Sequence, residues 1–288
     1  MIWFVLALLA AFFDASYYAA IKKYLQKIDE NALAAGALLI SFVILFTISL
    51  IRGIPTFNLT FILAILANAI LDIISIKLYL KALKYTDLSL AMPMISFTPI
   101  FLILTSFIIL RELPSYLGLL GILLIVIGSY LLNFKKGKYS LLQPLKEIWH
   151  NKGLFYMLIV AFIYSLTSVF DKVVMVNSDP YFGSALLRLI PGIFFLVLAL
   201  RNKTSLPKER PVKKYTAFIV AGIITALATI TINIALTMQI VPYVISLKRT
   251  SILLSVIYGG VLFKEKSMWQ RLTGALIMVA GVIIILLS

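Results

Sequence analysis

The chain has no cysteine, one histidine and few charged side chains. Without cysteine it has no disulfides, no thiolate nucleophile and no Cys-ligated metal. His150, next to Trp149 in a polar linker, leaves no His-based metal site. Charged residues make up 13% of the 288 residues, against about 25% in an ordinary soluble domain. We therefore expect no metal and no cofactor, and the composition argues against a soluble protein.

Apolar residues make up 62% of the chain, and the mean hydropathy is +1.07. A helix that crosses about 30 Å of hydrocarbon needs about 20 mostly apolar residues. We read the first such run as a span rather than a signal peptide, because it contains Asp14 and lacks a basic start. The sequence predicts an all-α polytopic membrane protein with ten transmembrane helices. The predicted spans are Ile2–Tyr24, Leu33–Ile51, Phe61–Leu80, Leu88–Leu110, Leu117–Phe134, Leu154–Val174, Phe182–Leu200, Ala217–Met238, Val241–Phe263 and Leu272–Leu287.

The net charge of +15 comes from cations that lie mainly in the short connections between the apolar runs. This distribution fits membrane topology and anionic lipid headgroups, so we expect a lipid bilayer and no nucleic acid as partner. Connections after odd-numbered spans hold most of the 26 basic residues, which predicts that both termini lie outside. A basic linker, residues 135–153, contains an amphipathic stretch, Leu141–Trp149, for which an interfacial helix and an unstructured segment are both open.

The chain repeats itself. A shift of 153 residues places Glu112 on Glu265, Gly121 on Gly274 and Gly128 on Gly281. We expect two five-helix halves, residues 1–134 and 154–288, joined by the linker. Because five is odd, the second half runs through the membrane in the opposite sense, an inverted repeat typical of secondary transporters with a midplane site. The glycines of the fifth and tenth spans predict close helix packing, within the fold or at a homodimer interface.

The stretch ALKYTDLSLAMPMISFTPIFLILTSFIILRELPSYLGLLGILLIVIGSYLL, residues 82–132, resembles the repeat unit of the drug/metabolite transporter superfamily, EamA-like branch. The resembling features are an Ala-Leu pair, a Pro-bearing fourth helix that ends near a Glu, and glycines in the fifth. The resemblance implies a ten-helix transporter whose cavity is lined by helices 1, 3, 4, 6, 8 and 9, and which moves small metabolites or drugs. It also implies cytoplasmic termini, in disagreement with the charge count.

Ionisable side chains at bilayer depth are costly, at least about 2.5–3.5 kcal/mol each at the centre, and are therefore functional candidates. Those inside the predicted spans are Asp14, Asp72, Lys77, Asp171, Lys172, Arg188, Lys248 and Arg249. Most belong to polar stripes at helical spacing, which predict a wet cavity. Lys77 and Lys172 lie near helix ends, and we expect them to snorkel. The acids could also pair with cations for structure alone, for example Asp171 with Arg188.

Lys248 and Arg249 are adjacent cations about seven residues inside the ninth span. Consecutive helical residues point about 100° apart, so a single acid cannot easily satisfy both. An anionic substrate group would supply the missing counter-charge. The pair also resembles that of the plastid triose-phosphate translocators, where such a pair binds the substrate phosphate. The equivalent first-half positions are Ile95 and Ser96, so a cation site would be one-sided.

The sequence thus predicts a secondary transporter in the cell membrane, an exporter or exchanger of a small metabolite with an anionic group. The alternative is a proton-coupled efflux transporter of amino acids or drugs. An enzyme is not expected, because no nucleophile–base or metal-ligand set stands within the spans. The predicted substrate-binding residues are Lys248, Arg249, Ser251, Ser255, Asp72, Asn68, Tyr79, Asn233, Arg188 and Tyr17, and the predicted coupling or charge-pairing residues are Asp14, Asp72 and Asp171.

Overall fold

A computed structural model describes residues 1–24, 29–86, 88–133, 142–201, 211–263 and 272–288. Within these ranges the chain forms thirteen α-helices and no strand. The helices are α1 (Ile2–Tyr24), α2 (Glu30–Arg52), α3 (Leu59–Tyr85), α4 (Leu88–Ile95), α5 (Thr98–Leu110), α6 (Tyr116–Asn133), α7 (Gln143–Glu147), α8 (Lys152–Val176), α9 (Pro180–Arg201), α10 (Pro211–Met238), α11 (Val241–Lys248), α12 (Ser251–Phe263) and α13 (Leu272–Leu287).

The all-helical membrane fold predicted from the sequence is confirmed. Six helical segments are long and apolar enough to cross a bilayer, and shorter apolar helices accompany them in the part of the chain that is described. The total of ten spans stays a prediction. The short helix α7 lies inside the stretch for which an amphipathic helix was one expectation, whereas Leu141 falls outside the described residues.

The fourth and ninth predicted spans are each divided into two helices, α4 and α5 in one and α11 and α12 in the other. Each breaks near its middle, at Ser96–Phe97 and at Arg249–Thr250. In both breaks, backbone nitrogens donate to carbonyls three residues earlier, at 3.0 to 3.2 Å, so the helix tightens before it ends. Pro99 accounts for the first break, because its ring disfavours a continuous helix through the preceding turn. The two breaks are equivalent in the repeat, since a shift of 153 places Ser96 on Arg249.

The last helices of the two halves, α6 and α13, pack against each other in antiparallel fashion. In the α6–α13 contact, a Cβ added at Gly121 would lie 2.9 Å from the Gly281 carbonyl oxygen, and one at Gly128 would lie 2.6 Å from the Gly274 carbonyl oxygen. The order of these contacts shows that α6 and α13 are antiparallel. The glycines serve packing within the chain, which is the first of the two roles expected for them.

The largest helix–helix contacts join opposite halves: α2 with α9, α3 with α8, α6 with α13 and α1 with α10. The outward faces are apolar, as lipid contact requires, and α3 presents Ile62, Leu66 and Ile70 to the exterior. Polar side chains such as Asn68 are instead buried between the halves. The fold thus turns its hydrophilic residues towards the contact between the two repeats.

Candidate functional site

The site is a polar cavity between the two halves, built where α11 ends and α12 begins. Lys248 is the last residue of α11, Arg249 follows it, and Ser251 is the first residue of α12. A break in a membrane helix is tolerated where the backbone is buried in protein or lines a cavity. The break therefore places the two predicted cations beside an interior space rather than on a lipid-facing helix surface.

The cavity has two lobes, of about 260 Å³ and about 220 Å³. Both lobes are lined by Asp14, Ser168, Asp171, Arg188, Ile245 and Lys248. The larger lobe adds Asn68, Asp72, Tyr164, Thr167, Leu187, Arg249 and Ser251. The smaller lobe adds Tyr17, Leu38, Thr225, Ala228, Thr229 and Ile232. The structure thus brings together most of the predicted site residues and all three predicted coupling acids.

Lys248 does not stand without a counter-charge in this structure. Its Nζ lies 3.2 Å from Oδ2 of Asp14 on α1, and the side chains are 34% and 22% exposed, respectively. The sequence prediction had left the counter-charge of Lys248 to the substrate, whereas the structure supplies one from the first helix. Asp14 reaches Lys248 because α1 packs against both α11 and α12.

A second carboxylate, Asp171 of α8, is held across the contact between the halves. The Nδ2 of Asn68 on α3 donates to Oδ1 of Asp171 at 2.9 Å and to the Thr167 carbonyl at 3.0 Å. Arg188 of α9 faces both lobes, and its Nε is buried with no hydrogen-bond partner among the described residues. A buried donor without a partner is costly, so Arg188 has unused capacity to bind an anion.

Three predicted binding residues are not among those that line the two lobes. Asn233 is buried against α9, where its Nδ2 donates to the Ser184 hydroxyl at 2.8 Å. The Tyr79 hydroxyl is directed to Sδ of Met92, at 3.8 Å. Ser255 stands four residues beyond Ser251, about 6 Å further along α12. The polar stripes predicted the correct helices but extend beyond the part of each helix that faces the cavity.

Several lining residues were not predicted as binding residues. Tyr164 and Ser168 share a helical stripe with Asp171, and Thr225 and Thr229 form a similar stripe on α10, so their spacing predicted a cavity wall without marking them as binding residues. Thr167 and the apolar lining residues carry no such signal. Their positions depend on how α8, α9 and α11 pack, which the period of one helix does not specify.

Lys172 belongs to a second ion pair, outside the cavity. Its Nζ donates to Oε1 of Glu112 and, at 2.7 Å, to the Gln239 carbonyl. Oε2 of Glu112 accepts from the Ser106 hydroxyl and from the Val241 backbone N–H, each at 2.9 Å. We call these five residues the Glu112 network. Lys172 therefore does not snorkel, contrary to the sequence expectation, because a carboxylate and a carbonyl reach it inside the protein.

The cavity can hold a small charged molecule. The described residues place three cations, Arg188, Lys248 and Arg249, and three carboxylates, Asp14, Asp72 and Asp171, around it. No group of three or more metal-ligating His, Cys, Asp or Glu side chains occurs in the part of the chain that the structure covers. The available chemistry is therefore ion pairing and hydrogen bonding with hydroxyl and amide groups.

Comparison with known proteins agrees with this arrangement. The model of the EamA-like transporter family matches residues 1–134 and 151–287. One solved crystal structure superposes with a TM-score of 0.73 over 96% of this chain and 95% of the other, at 16% identity, and so shares its fold. No curated protein matches the sequence. Because the family model covers nearly the whole chain in two halves, the chain belongs to the EamA-like transporter family and is a multi-pass membrane transporter of the drug/metabolite transporter superfamily.

Proposed function

We propose that the protein is a secondary transporter in the cell membrane that exports or exchanges a small metabolite with an anionic group. The substrate would bind in the cavity, and the two halves would open it to one side of the membrane at a time. The two halves, residues 1–134 and 154–288, act as the moving units, and the basic linker between them connects the units.

The position of the cavity supports this mechanism. Its walls come from α1, α2 and α3 of the first half and from α8 to α12 of the second. A rotation of one half against the other therefore changes access to the cavity without unfolding either half. The two helix breaks lie at equivalent positions of the repeat, where the backbone can change direction.

The proposal of an anionic substrate rests mainly on Arg188. Its side chain faces both lobes, and its buried Nε lacks a partner among the residues described. A guanidinium presents a planar set of donors that fits a carboxylate or phosphate, and a charged acceptor in such a site strengthens the hydrogen bonds. Arg249 and Lys248 line the larger lobe with it and add positive charge.

The balance of charges favours a second candidate, a zwitterion such as an amino acid, with proton-coupled efflux. The three carboxylates that line the cavity equal its cations in number. A substrate with one positive and one negative group would leave the cavity neutral and find a partner for each group. Asp72, which lines the larger lobe from α3, is then the acid for the substrate ammonium.

Flux into proteoliposomes tests both candidates. Purified protein is reconstituted and offered carboxylates, phosphorylated sugars and amino acids, after thermal-shift screening of the same panel. The Arg188→Gln variant is expected to lower uptake of the active substrate at least about tenfold, because loss of a charged hydrogen bond costs about 1.5–3 kcal/mol. Lys248→Gln and Arg249→Gln follow in the same assay.

Lys77→Gln is the matched control, since Lys77 is another basic residue in a membrane helix but is exposed and lines neither lobe. Its uptake is expected to equal that of the wild type. Unchanged uptake of every anionic substrate in all three cavity variants would refute the anion site. Uptake restricted to zwitterions would establish the second candidate instead.

A further inference from the structure

The Asp14–Lys248 ion pair lies where the two lobes of the cavity meet. Both residues line both lobes, and their side chains are partly exposed to the cavity at a separation of 3.2 Å. A molecule that fills either lobe would therefore lie against this pair. Asp14 occupies a position on Lys248 that an anionic substrate group would also occupy.

The charge of the cavity limits what can enter it. With three cations and three carboxylates, the lining is formally neutral. An added anion brings one uncompensated negative charge into a partly buried site, which is costly unless a proton or a cation accompanies it. If the anion takes Lys248 from Asp14, the Asp14 carboxylate loses its counter-charge at the same moment. One proton bound by that carboxylate then offsets one of the added negative charges.

Asp14 is better placed for this exchange than the other acids. Asp171 already accepts a hydrogen bond from Asn68 at 2.9 Å. The contact of Asp14 is instead with the flexible end of a lysine side chain, which can turn to another acceptor without moving a helix. Tyr258 of α12, whose hydroxyl lies 3.2 Å from the Ser16 hydroxyl, is a titratable group on a helix packed against α1 and lines neither lobe. The other charged or titratable groups of the cavity are Tyr17, Asp72, Tyr164, Asp171, Arg188 and Arg249.

We infer that Asp14 serves as an internal substitute for the substrate anion on Lys248, and that substrate displaces it while one proton from solution is taken up by its carboxylate. The ionic contact between Lys248 and Asp14 breaks, a contact between Lys248 and the substrate anion forms, and the O–H bond of protonated Asp14 forms. The site then carries one anion and one proton together. A zwitterionic substrate requires no such proton. The inference rests on the proposed function, which places an anion in this cavity.

A small anion probes the exchange without knowledge of the substrate. Sulfate keeps its charge between pH 5 and pH 8, and its stabilising effect is measured as the shift of the thermal unfolding midpoint of the purified full chain. In Asp14→Asn, Lys248 loses the carboxylate that contacts it, so the sulfate concentration for half-maximal stabilisation is expected to fall about tenfold below that of the wild type at pH 8. In the wild type, the same concentration is expected to fall as the pH is lowered from 8 to 5, because sulfate binding takes up a proton under the inferred exchange.

Two further variants separate displacement from a general change of charge. Glu147→Gln removes an acid of α7 that lines neither lobe and should leave the sulfate response near that of the wild type. The double variant of Asp14→Asn with Lys248→Gln should not show the lower half-maximal sulfate concentration expected for Asp14→Asn. Equal responses of the wild type and Asp14→Asn, or an equal gain in Glu147→Gln, would overturn the inference. If Asp14→Asn does not fold, a wild-type response that is the same at pH 5 and pH 8 overturns it.

The result is distinct from a failure of the proposed function. Suppose that Asp14→Asn responds to less sulfate than the wild type, but no anionic metabolite is transported. The role of Asp14 as an internal anion would then stand, and the transport proposal would be rejected. Flux of an anionic metabolite, abolished in Arg188→Gln, with no sulfate gain in Asp14→Asn would retain the transport proposal and reject the exchange.

Discussion

The molecule contains two lysine–carboxylate pairs whose surroundings differ. Lys172 and Glu112 are 12% and 14% exposed, and each has further hydrogen bonds, to the Gln239 carbonyl on one side and to a hydroxyl and a backbone N–H on the other. Lys248 and Asp14 are 34% and 22% exposed, at 3.2 Å in a polar cavity.

The difference distinguishes a structural ion pair from one that a ligand can open. In the Glu112 network the charged atoms have several protein partners, so opening it leaves several buried groups unsatisfied. The network also links the two halves. Glu112 follows α5 of the first half, whereas Lys172 and Val241 belong to α8 and α11 of the second. The cavity pair can exchange a protein partner for a bound anion or water, so opening it costs less.

Lys172→Met should give the largest effect. It leaves the Glu112 carboxylate buried without its cation and the Gln239 carbonyl without its donor, and removal of one partner of a buried pair costs about 3–5 kcal/mol. The measurement is thermal unfolding in nanodiscs, with Lys248→Met as the matched variant. An unfolding midpoint for Lys172→Met as high as that for Lys248→Met would show that the two pairs do not differ.

Double-mutant cycles sharpen the comparison. Glu112→Gln with Lys172→Met is expected to show a coupling free energy of about 2 kcal/mol, within the range for residues in one ion-pair network. Asp14→Asn with Lys248→Met is expected to give less than about 1 kcal/mol, as for a solvent-accessible pair. Equal coupling free energies in the two cycles would show that the two ion pairs do not differ in strength.

Ser106→Ala tests whether the additional contacts support Glu112. The Ser106 hydroxyl donates to Oε2 of Glu112 at 2.9 Å, and loss of one such bond costs about 1 kcal/mol. Ser165→Ala is a useful control, because it also removes a buried hydroxyl from a membrane helix, but that hydroxyl donates to the Phe162 carbonyl of its own helix. A stability of Ser106→Ala indistinguishable from that of the control would indicate that Glu112 does not need this donor.

Asp14→Asn should change stability least. The pair it breaks is partly exposed, and the released lysine remains hydrated in the cavity, so the free energy of unfolding is expected to change by less than about 1 kcal/mol. Chemical unfolding in the absence of multivalent anions measures this change. A loss as large as that of Lys172→Met would identify Asp14–Lys248 as a structural pair and weaken its role in ligand exchange.

Helix positions and the repeat were predictable from the sequence because both depend on local patterns. The first predicted span coincides with α1, and the shift of 153 residues predicted which glycines are equivalent. Apolar runs and residue spacing report a single chain segment, and a membrane constrains every such segment in the same way.

The partners of individual charges were not predictable. Asp14 and Lys248 are separated by 234 residues, and Glu112 and Lys172 by 60, so no periodicity connects them. The break at Arg249 has no proline signal in the sequence, because Ile252 stands at the position equivalent to Pro99. The ion pairs form across the contact between the halves, which the pattern of one helix does not contain.

The glycine contacts between α6 and α13 have a consequence for symmetry. The repeat places Gly121 on Gly274 and Gly128 on Gly281, so the contact of Gly121 with Gly281 and that of Gly128 with Gly274 are one contact made twice. A surface that meets its own copy in this way is isologous, as in a twofold dimer. One half alone would thus carry both sides of the contact on a single helix, and that helix would be complementary to an inverted second copy of itself.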